Sequence, residues 1–87
     1  MVDYWAPWCG PCRMVAPELE KVAAADAGRV LIVKVNTDAL PTLAQRGRLQ
    51  SIPTLTIFFR EREVARTAGA HSAAAIQSFL HQALAYS

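Results

Sequence analysis

The sequence predicts an α/β fold with a mixed sheet of about four strands and flanking helices, in the order β-α-β-α-β-β-α. Two runs of mainly β-branched, aliphatic and aromatic residues, 30–35 and 54–59, have the length of strands. Segments with the apolar spacing of helices alternate with these runs, as in βαβ units. The chain has 87 residues, 53% of them hydrophobic, which is enough for one small core. We therefore expect a single domain over residues 1–87.

The first half of the chain alternates strand and helix. Val2–Trp5 is β-branched and aromatic and predicts a short strand that ends at Ala6-Pro7. A helix is expected from near Cys9–Pro11, because proline is favoured in a first helical turn. Pro17 should kink this helix and Gly28 should end it. The residues at helical spacing that form its apolar stripe are Val15, Leu19, Val22 and Ala23.

Two further buried strands and a short helix are expected next. Val30–Val35 is almost continuously aliphatic, which predicts a strand covered on both faces in a parallel sheet. Asn36-Thr37-Asp38 offers caps for a helix over Ala39–Arg46, which Gly47 would close. Thr54–Phe59 predicts the second buried strand.

The C-terminal third predicts a hairpin and a helix. Arg62–Thr67 is expected to pair with the preceding strand across the turn Arg60-Glu61. Ser72 can cap the last helix. The apolar face of that helix comprises Ile76, Phe79, Leu80, Ala83 and Leu84.

Composition and charge exclude several classes of protein. Charged residues are only 18% of the chain, which is too few for a disordered tail. The nine basic residues are interspersed with seven acidic ones, so we predict no nucleic-acid partner. No run approaches the ~20 apolar residues that cross a bilayer. The segment after Met1 has neither the basic nor the apolar part of a signal peptide, so we predict no membrane association and a cytoplasmic location.

The only two cysteines, Cys9 and Cys12, lie where the first strand passes into the first helix. Residues three apart on a helix are neighbours, so the two thiols can close a disulfide. Unpaired amides at the helix N-terminus should lower the pKa of the Cys9 thiol and make it a nucleophile. Cys12, one turn further in, is expected to be more buried. Cys9 would then attack a substrate disulfide, and Cys12 would resolve the mixed disulfide.

A metal site is the main alternative for these cysteines. Structural zinc needs four ligands, and only His71 and His81 remain, at a spacing unlike that of zinc motifs. Two chains could still share a site through two Cys-x-x-Cys motifs. We predict redox chemistry with no metal and no bound cofactor, because the dithiol itself carries the two electrons.

The segment Trp-Ala-Pro-Trp-Cys-Gly-Pro-Cys-Arg at residues 5–13 is the active-site signature of thioredoxins, and the chain resembles the bacterial members of that family. The resemblance continues at Lys34–Asp38, at Ser51–Thr54 and at Gly69. It implies a protein disulfide reductase, a thiol-disulfide oxidoreductase that acts on disulfide-containing proteins. It also implies a thioredoxin-reductase-like electron donor that recharges the Cys9–Cys12 dithiol.

The resemblance also implies roles for further residues. Asp3 matches a buried aspartate that helps to deprotonate the second cysteine, and Lys34 matches a lysine near it. Near a chain end, Asp3 could instead be a surface carboxylate, and Lys34 could extend to solvent. Pro53 matches the family's cis-proline. The residues that match the substrate-facing rim are Trp8, Gly10, Pro11, Ile52 and Gly69.

The chain also departs from the family pattern, because the strand and helix that precede the position of Val2 are absent. We therefore expect a truncated thioredoxin fold in which Val30–Val35 is an exposed apolar edge strand, open to pairing with another chain. A homodimer through this edge is one expected consequence. The alternative function is a catalytically weak binding or assembly module that a second chain completes.

Overall fold

The computed structural model describes residues 1–85, which form a mixed four-stranded sheet and three helices. The predicted α/β class and the predicted element order are confirmed. Residues 86 and 87, the end of the predicted domain, lie outside the described residues. The elements are β1 (Val2–Trp5), α1 (Gly10–Ala25), β2 (Val33–Asn36), α2 (Pro41–Arg46), β3 (Thr54–Phe59), β4 (Arg62–Ala68) and α3 (Ala73–Ala85).

The strands lie in the order β2-β1-β3-β4. β1 is parallel to β2 and antiparallel to β3, and β3 and β4 form an antiparallel hairpin. Because β1 and β2 are parallel, their C-terminal ends meet at one edge of the sheet. There the Thr37 amide donates to the Trp5 carbonyl over 2.8 Å. The turn after β2 is thereby held beside the loop that leads from β1 into α1.

The core lies between the sheet and the two long helices, α1 and α3. Ser72 caps α3 as predicted, since its Oγ accepts a hydrogen bond from the Ala75 amide over 3.2 Å. Ala23 was predicted to face the core, but it is exposed, because the buried stripe of α1 ends at Val22. The buried apolar residues of this core are Met1, Val15, Leu19, Val22, Leu55, Ile57, Ile76 and Leu80.

The predicted strand Val30–Val35 is wrong in its start and in its burial. β2 begins at Val33, because β1 begins at Val2 and Val33 is the residue opposite it. Leu31 is 77% exposed and Val33 is 45% exposed, so the strand is not covered on both faces within the described residues. β2 lies at the edge of the sheet, where its apolar side chains are open to contact.

The short helix α2 begins two residues later than predicted, at Pro41. Proline is favoured at the first helical position because it has no amide hydrogen to leave unpaired. Asn36 does not cap this helix. Its Oδ1 accepts from the amides of Asp38 and Ala39, at 3.0 and 3.2 Å, which forms a separate turn before the helix. The predicted end at Arg46, followed by Gly47, is confirmed.

The β3–β4 hairpin turns in two residues without a glycine. Arg60 and Glu61 have φ values of 51° and 67°, the left-handed pair that a tight hairpin turn requires. The Arg60 guanidinium lies 5.2 Å from the centre of the Phe59 ring, which favours this turn through a cation–π contact. β4 ends at Ala68, one residue beyond the predicted Thr67.

Gly47 lies directly against the buried ring of Tyr4. A Cβ at this position would come within 3.0 Å of the Tyr4 Cζ and Oη atoms. We expect Gly47→Ala to lower the free energy of unfolding by ~1–3 kcal/mol, because the ring or the backbone must move. The Tyr4→Phe background should recover part of the loss, since it removes one of the two close atoms. Gly10→Ala is the control, because a Cβ there meets nothing within 4 Å. Chemical denaturation measures all four variants, and equal stability of Gly47→Ala and wild type would contradict the contact.

Candidate active site

Cys9 and Cys12 form a disulfide at the start of α1. Cys9 is the N-cap residue of the helix, and its Sγ accepts a hydrogen bond from the Cys12 amide over 3.2 Å. The first turn of the helix contains Pro11 and no acidic residue. An amide aimed at the Cys9 sulfur and the positive end of the helix dipole both favour a negative charge there. The position therefore suits a thiolate once the disulfide is reduced.

Burial does not distinguish the two cysteines, which corrects the prediction that Cys12 is the more buried. Cys9 is 3% exposed and Cys12 is 5% exposed. Both belong to the same small buried cluster, which also contains Ala6 and against which Trp5 and Ile52 pack. The two sulfurs differ instead in their surroundings. Cys9 lies 3.8 Å from the carbonyl of Ile52, which lines an outer groove, whereas Cys12 lines an inner cavity.

The outer groove brings together several of the predicted rim residues. The Cys9 Sγ lies 3.8 Å from the carbonyl oxygen of Ile52, whose peptide bond to Pro53 is cis. Trp8 also lines the groove and is 69% exposed, and its indole N–H donates to Asp38 over 3.3 Å. The groove has a volume of about 580 Å³, and its lining residues are Trp8, Thr37, Ala44, Gln45, Arg48, Leu49, Gln50, Ser51 and Ile52.

The remaining predicted rim residues do not line this groove; two follow Cys9 in the chain and one is hydrogen-bonded to Pro53. Gly10 and Pro11 are exposed in the first turn of α1. Gly69 has a φ of +89°, a left-handed conformation that suits glycine, and its amide donates to the Pro53 carbonyl over 2.9 Å. A Cβ on Gly69 would meet nothing within 4 Å, so this side of the rim is open.

The inner cavity lies behind the disulfide and joins three of the predicted site residues: Asp3, Cys12 and Lys34. Its volume is about 140 Å³, which is large enough to hold water. The other residues that line it are Trp5, Ala6, Pro7, Arg13 and Ala16.

Asp3 is almost fully buried, with 2% of its surface exposed, so the alternative of a surface carboxylate is excluded. Its strand β1 lies between two others, and this places Asp3 opposite Lys34 on one side and Leu55 on the other. Burial raises the pKa of Asp3 to about 6, and the positive charge of Lys34 opposes part of that shift. Lys34 itself is exposed, and no ion pair within 4.0 Å joins it to Asp3 in residues 1–85.

Both histidines contact groups other than the cysteines. His81 contacts the buried Asp26 over 3.0 Å, and His71 contacts the Ala68 carbonyl over 2.9 Å. Among the described residues, no group of three or more histidine, cysteine or acidic side chains is arranged to hold a metal ion. No helix in the same residues is long and apolar enough to cross a membrane.

Comparison with known proteins decides the family. The family model described as Thioredoxin matches residues 1–82. This chain belongs to the thioredoxin family. It is 44% identical over 84 residues to a thioredoxin of Synechocystis sp., an alignment that covers 97% of this chain and 78% of that protein. The crystal structure of chloroplastic thioredoxin z superposes with a TM-score of 0.84 at 40% identity, covering 97% of this chain and 76% of that one.

Some thioredoxin relatives are considerably longer than the part that this chain matches. Thioredoxin 1 of Nostoc sp. is 50% identical over 70 residues, which cover 80% of this chain but 65% of the relative. The same shares apply to thioredoxin 1 of Synechococcus elongatus. The chain therefore spans about two thirds of these two relatives.

Three residues, two of them within the thioredoxin signature, were not identified as site residues from the sequence. Trp5 lines the inner cavity, and its buried indole N–H has no hydrogen-bond partner among residues 1–85. Arg13 lines the same cavity, and its guanidinium donates to the Pro7 carbonyl over 2.7 Å. Asp38 binds Trp8. Asp38 could have been found, because it follows the end of a strand parallel to β1 and parallel strands end at the same edge.

Proposed function

We propose that this chain is a thiol-disulfide oxidoreductase that reduces disulfides in proteins through Cys9 and Cys12. The observation that carries the proposal is the placement of the pair. The Cys9 sulfur accepts a hydrogen bond from an amide at a helix N-terminus and lies 3.8 Å from the carbonyl of Ile52, which lines the outer groove. Cys12 lines the inner cavity together with the buried carboxylate of Asp3. Membership of the thioredoxin family supports the same chemistry.

In the first step, the Cys9 thiolate attacks one sulfur of a substrate disulfide. A bond forms between Cys9 and that sulfur, the substrate disulfide breaks, and the other substrate sulfur leaves as a thiolate. The Cys12 amide stabilises the attacking anion. The groove lined by Ile52 and Trp8 would hold the polypeptide that flanks the substrate disulfide. The family resemblance adds Gly10, Pro11, Pro53 and Gly69 as further substrate contacts.

In the second step, Cys12 attacks the Cys9 sulfur. The Cys12 thiol first loses its proton, and we propose Asp3 as the acceptor because both border the inner cavity. With a pKa of about 6, Asp3 is mostly ionised at neutral pH and can accept a proton. The new Cys9–Cys12 disulfide forms, the mixed disulfide breaks, and the second substrate thiolate leaves. Lys34 would lower the cost of the buried charge on Asp3.

The oxidised pair must then receive two electrons from a donor. We propose a thioredoxin-reductase-like protein as that donor and a cytoplasmic location for the cycle. The spinach relative is a chloroplastic M-type thioredoxin, so location is not uniform in the family. A homodimer through the exposed edge strand β2 is a further proposal. We also propose that residues 1–87 act as one domain.

The reduction of insulin in the presence of dithiothreitol tests the proposed function. The purified chain should reduce the interchain disulfides faster than dithiothreitol alone, and the freed chains should precipitate. The oligomeric mass is measured on the same sample, to show whether one chain or two carry the activity. A folded sample that adds nothing to the rate with dithiothreitol alone would contradict the proposal. The comparisons give no support to the alternative of a binding or assembly module.

A further inference from the structure

A bulge in β4 places an acidic and a basic side chain, those of Glu63 and Arg66, on the same face of the sheet. Thr56 pairs with Arg66 and Phe58 pairs with Glu63, so β4 has one extra residue, Val64, between these two pairs. Residues three apart on a regular strand point to opposite faces. Because the bulge adds one residue, Glu63 and Arg66 point to the same face and can meet.

Glu63 and Arg66 form a two-pronged ion pair. The Arg66 Nε lies 2.8 Å from one Glu63 oxygen, and its Nη2 lies 2.6 Å from the other. The hydrogen bond from Arg66 lowers the pKa of Glu63, and the same contact raises the pKa of Arg66. Both side chains are about one third exposed, so the pair contributes little to stability by itself. Its consequence is that the guanidinium plane is fixed in orientation.

The fixed guanidinium also binds the segment that leaves α2. Arg66 Nη2 donates to the Gly47 carbonyl over 2.7 Å, and Nη1 donates to the Arg48 carbonyl over 3.2 Å. Arg48 has a φ of 54°, a conformation that a non-glycine residue adopts only when its surroundings hold it there. Arg66 is therefore a side-chain cap for the C-terminal end of α2.

The capped segment leads directly to the outer groove. We call residues 47–52 the groove loop. Its far end is also held, since the Thr54 hydroxyl donates to the Ser51 carbonyl over 2.6 Å. Residues 48–52 of the groove loop line the groove, and the last carbonyl of the loop, of Ile52, lies 3.8 Å from the Cys9 sulfur. Arg66 thus acts on the groove from a strand that does not line it.

We propose that Arg66, oriented by Glu63, is a positioning residue that holds the groove loop in the shape that receives the polypeptide flanking a substrate disulfide. This inference rests on the proposed function, because it concerns the substrate groove of the same site. A preformed groove binds an extended segment without the entropy cost of ordering the loop. Arg66 does not touch the sulfurs, so it should affect the binding of large substrates and not the exchange chemistry.

The test compares a polypeptide disulfide with a small one. In Arg66→Gln, the KM for insulin should rise about tenfold while kcat stays within about twofold, because uniform binding is lost. The rate with dithiobis(nitrobenzoate), a small aromatic disulfide that does not fill the groove, should stay within about twofold of the wild-type rate. Arg66→Lys should give an intermediate KM, since an ammonium keeps the charge but not the fork that joins two carbonyls and a carboxylate. Arg62→Gln is the matched control, because it removes the same charge from the same strand.

A second measurement is independent of activity. Backbone ¹⁵N order parameters of residues 47–52 should fall from about 0.85 in wild type to below about 0.6 in Arg66→Gln, while those of α1 and β3 stay unchanged. Unchanged order parameters, or a lower kcat at constant KM for insulin, would overturn the proposal. If wild type reduced neither substrate, the proposed function would fail, and the order parameters alone would then decide whether Arg66 holds the loop.

Discussion

Replacing Cys12 by serine is expected to trap the protein on its substrates. Cys9 keeps the amide that favours its thiolate, so the first attack still occurs. Serine cannot resolve the resulting mixed disulfide, because its hydroxyl is far less acidic and less nucleophilic toward sulfur than a thiol. The Cys12→Ser protein should therefore accumulate as a one-to-one adduct with oxidised insulin, and turnover should fall to the rate of dithiothreitol alone. Non-reducing mass spectrometry measures the adduct.

The matched variant, Cys9→Ser, should give neither turnover nor adduct. The two variants remove the same atom from positions of nearly equal burial, 3% and 5% exposed, so a general loss of packing would affect them alike. An adduct with Cys9→Ser but not with Cys12→Ser would reverse the assigned roles. Free turnover by Cys12→Ser would refute the two-step scheme.

Replacing Asp3 by asparagine is expected to stabilise the protein relative to wild type at neutral pH but not in acid. The folded-state pKa of about 6 exceeds the ordinary value of 3.8, so ionisation of Asp3 opposes folding. Well below pH 3.8 Asp3 is protonated in both the folded and the unfolded state, and no stability is lost. Between pH 3.8 and about 6 the free energy of unfolding of wild type falls by ~3 kcal/mol, because Asp3 ionises in the unfolded chain before it ionises in the folded one. Asp3→Asn should lack this loss.

Urea denaturation from pH 3.5 to pH 7.5 measures the difference between the two proteins. Glu61→Gln, at an exposed turn, controls for the removal of one negative charge. Equal slopes of stability against pH for wild type and Asp3→Asn would show that Asp3 does not titrate in this range. In the insulin assay, Asp3→Asn should accumulate the mixed disulfide, because no carboxylate is present to accept the Cys12 proton.

Local patterns in the sequence were sufficient for most of the fold. The periodic apolar residues of α1 and α3 and the aliphatic run of β3 identify buried faces, and the structure buries the residues Val15, Leu19 and Ile76. The extent of β2 was not predictable in this way. A strand is limited by its partner, and Val30 looks like a strand residue although β1 offers nothing opposite it. The helix α2 begins at Pro41 because proline is favoured at the first helical position. This preference outweighed the capping tendency of the polar residues 36–38.

The site residues followed from the motif and the family resemblance, but their arrangement did not. Spacing alone suggests that Cys12, deeper in the helix, is more buried, whereas the covering of Cys9 by Ile52 depends on a loop 43 residues away. The burial of Asp3 likewise depends on both neighbours of β1. Arg66 was not predicted, because its contact with Glu63 requires a bulge that no residue type in Glu63–Arg66 signals.

Counting thiols after a single exchange reaction tests the central claim most directly. The chain is reduced, freed of reductant and mixed with an equimolar amount of oxidised insulin. Free thiols are then alkylated, and the masses of both proteins are measured by mass spectrometry. Transfer of two electrons predicts that the chain loses both of its two thiols while insulin gains two. A chain that keeps both thiols beside unchanged insulin would contradict the assignment of Cys9 and Cys12 as a disulfide-reducing pair.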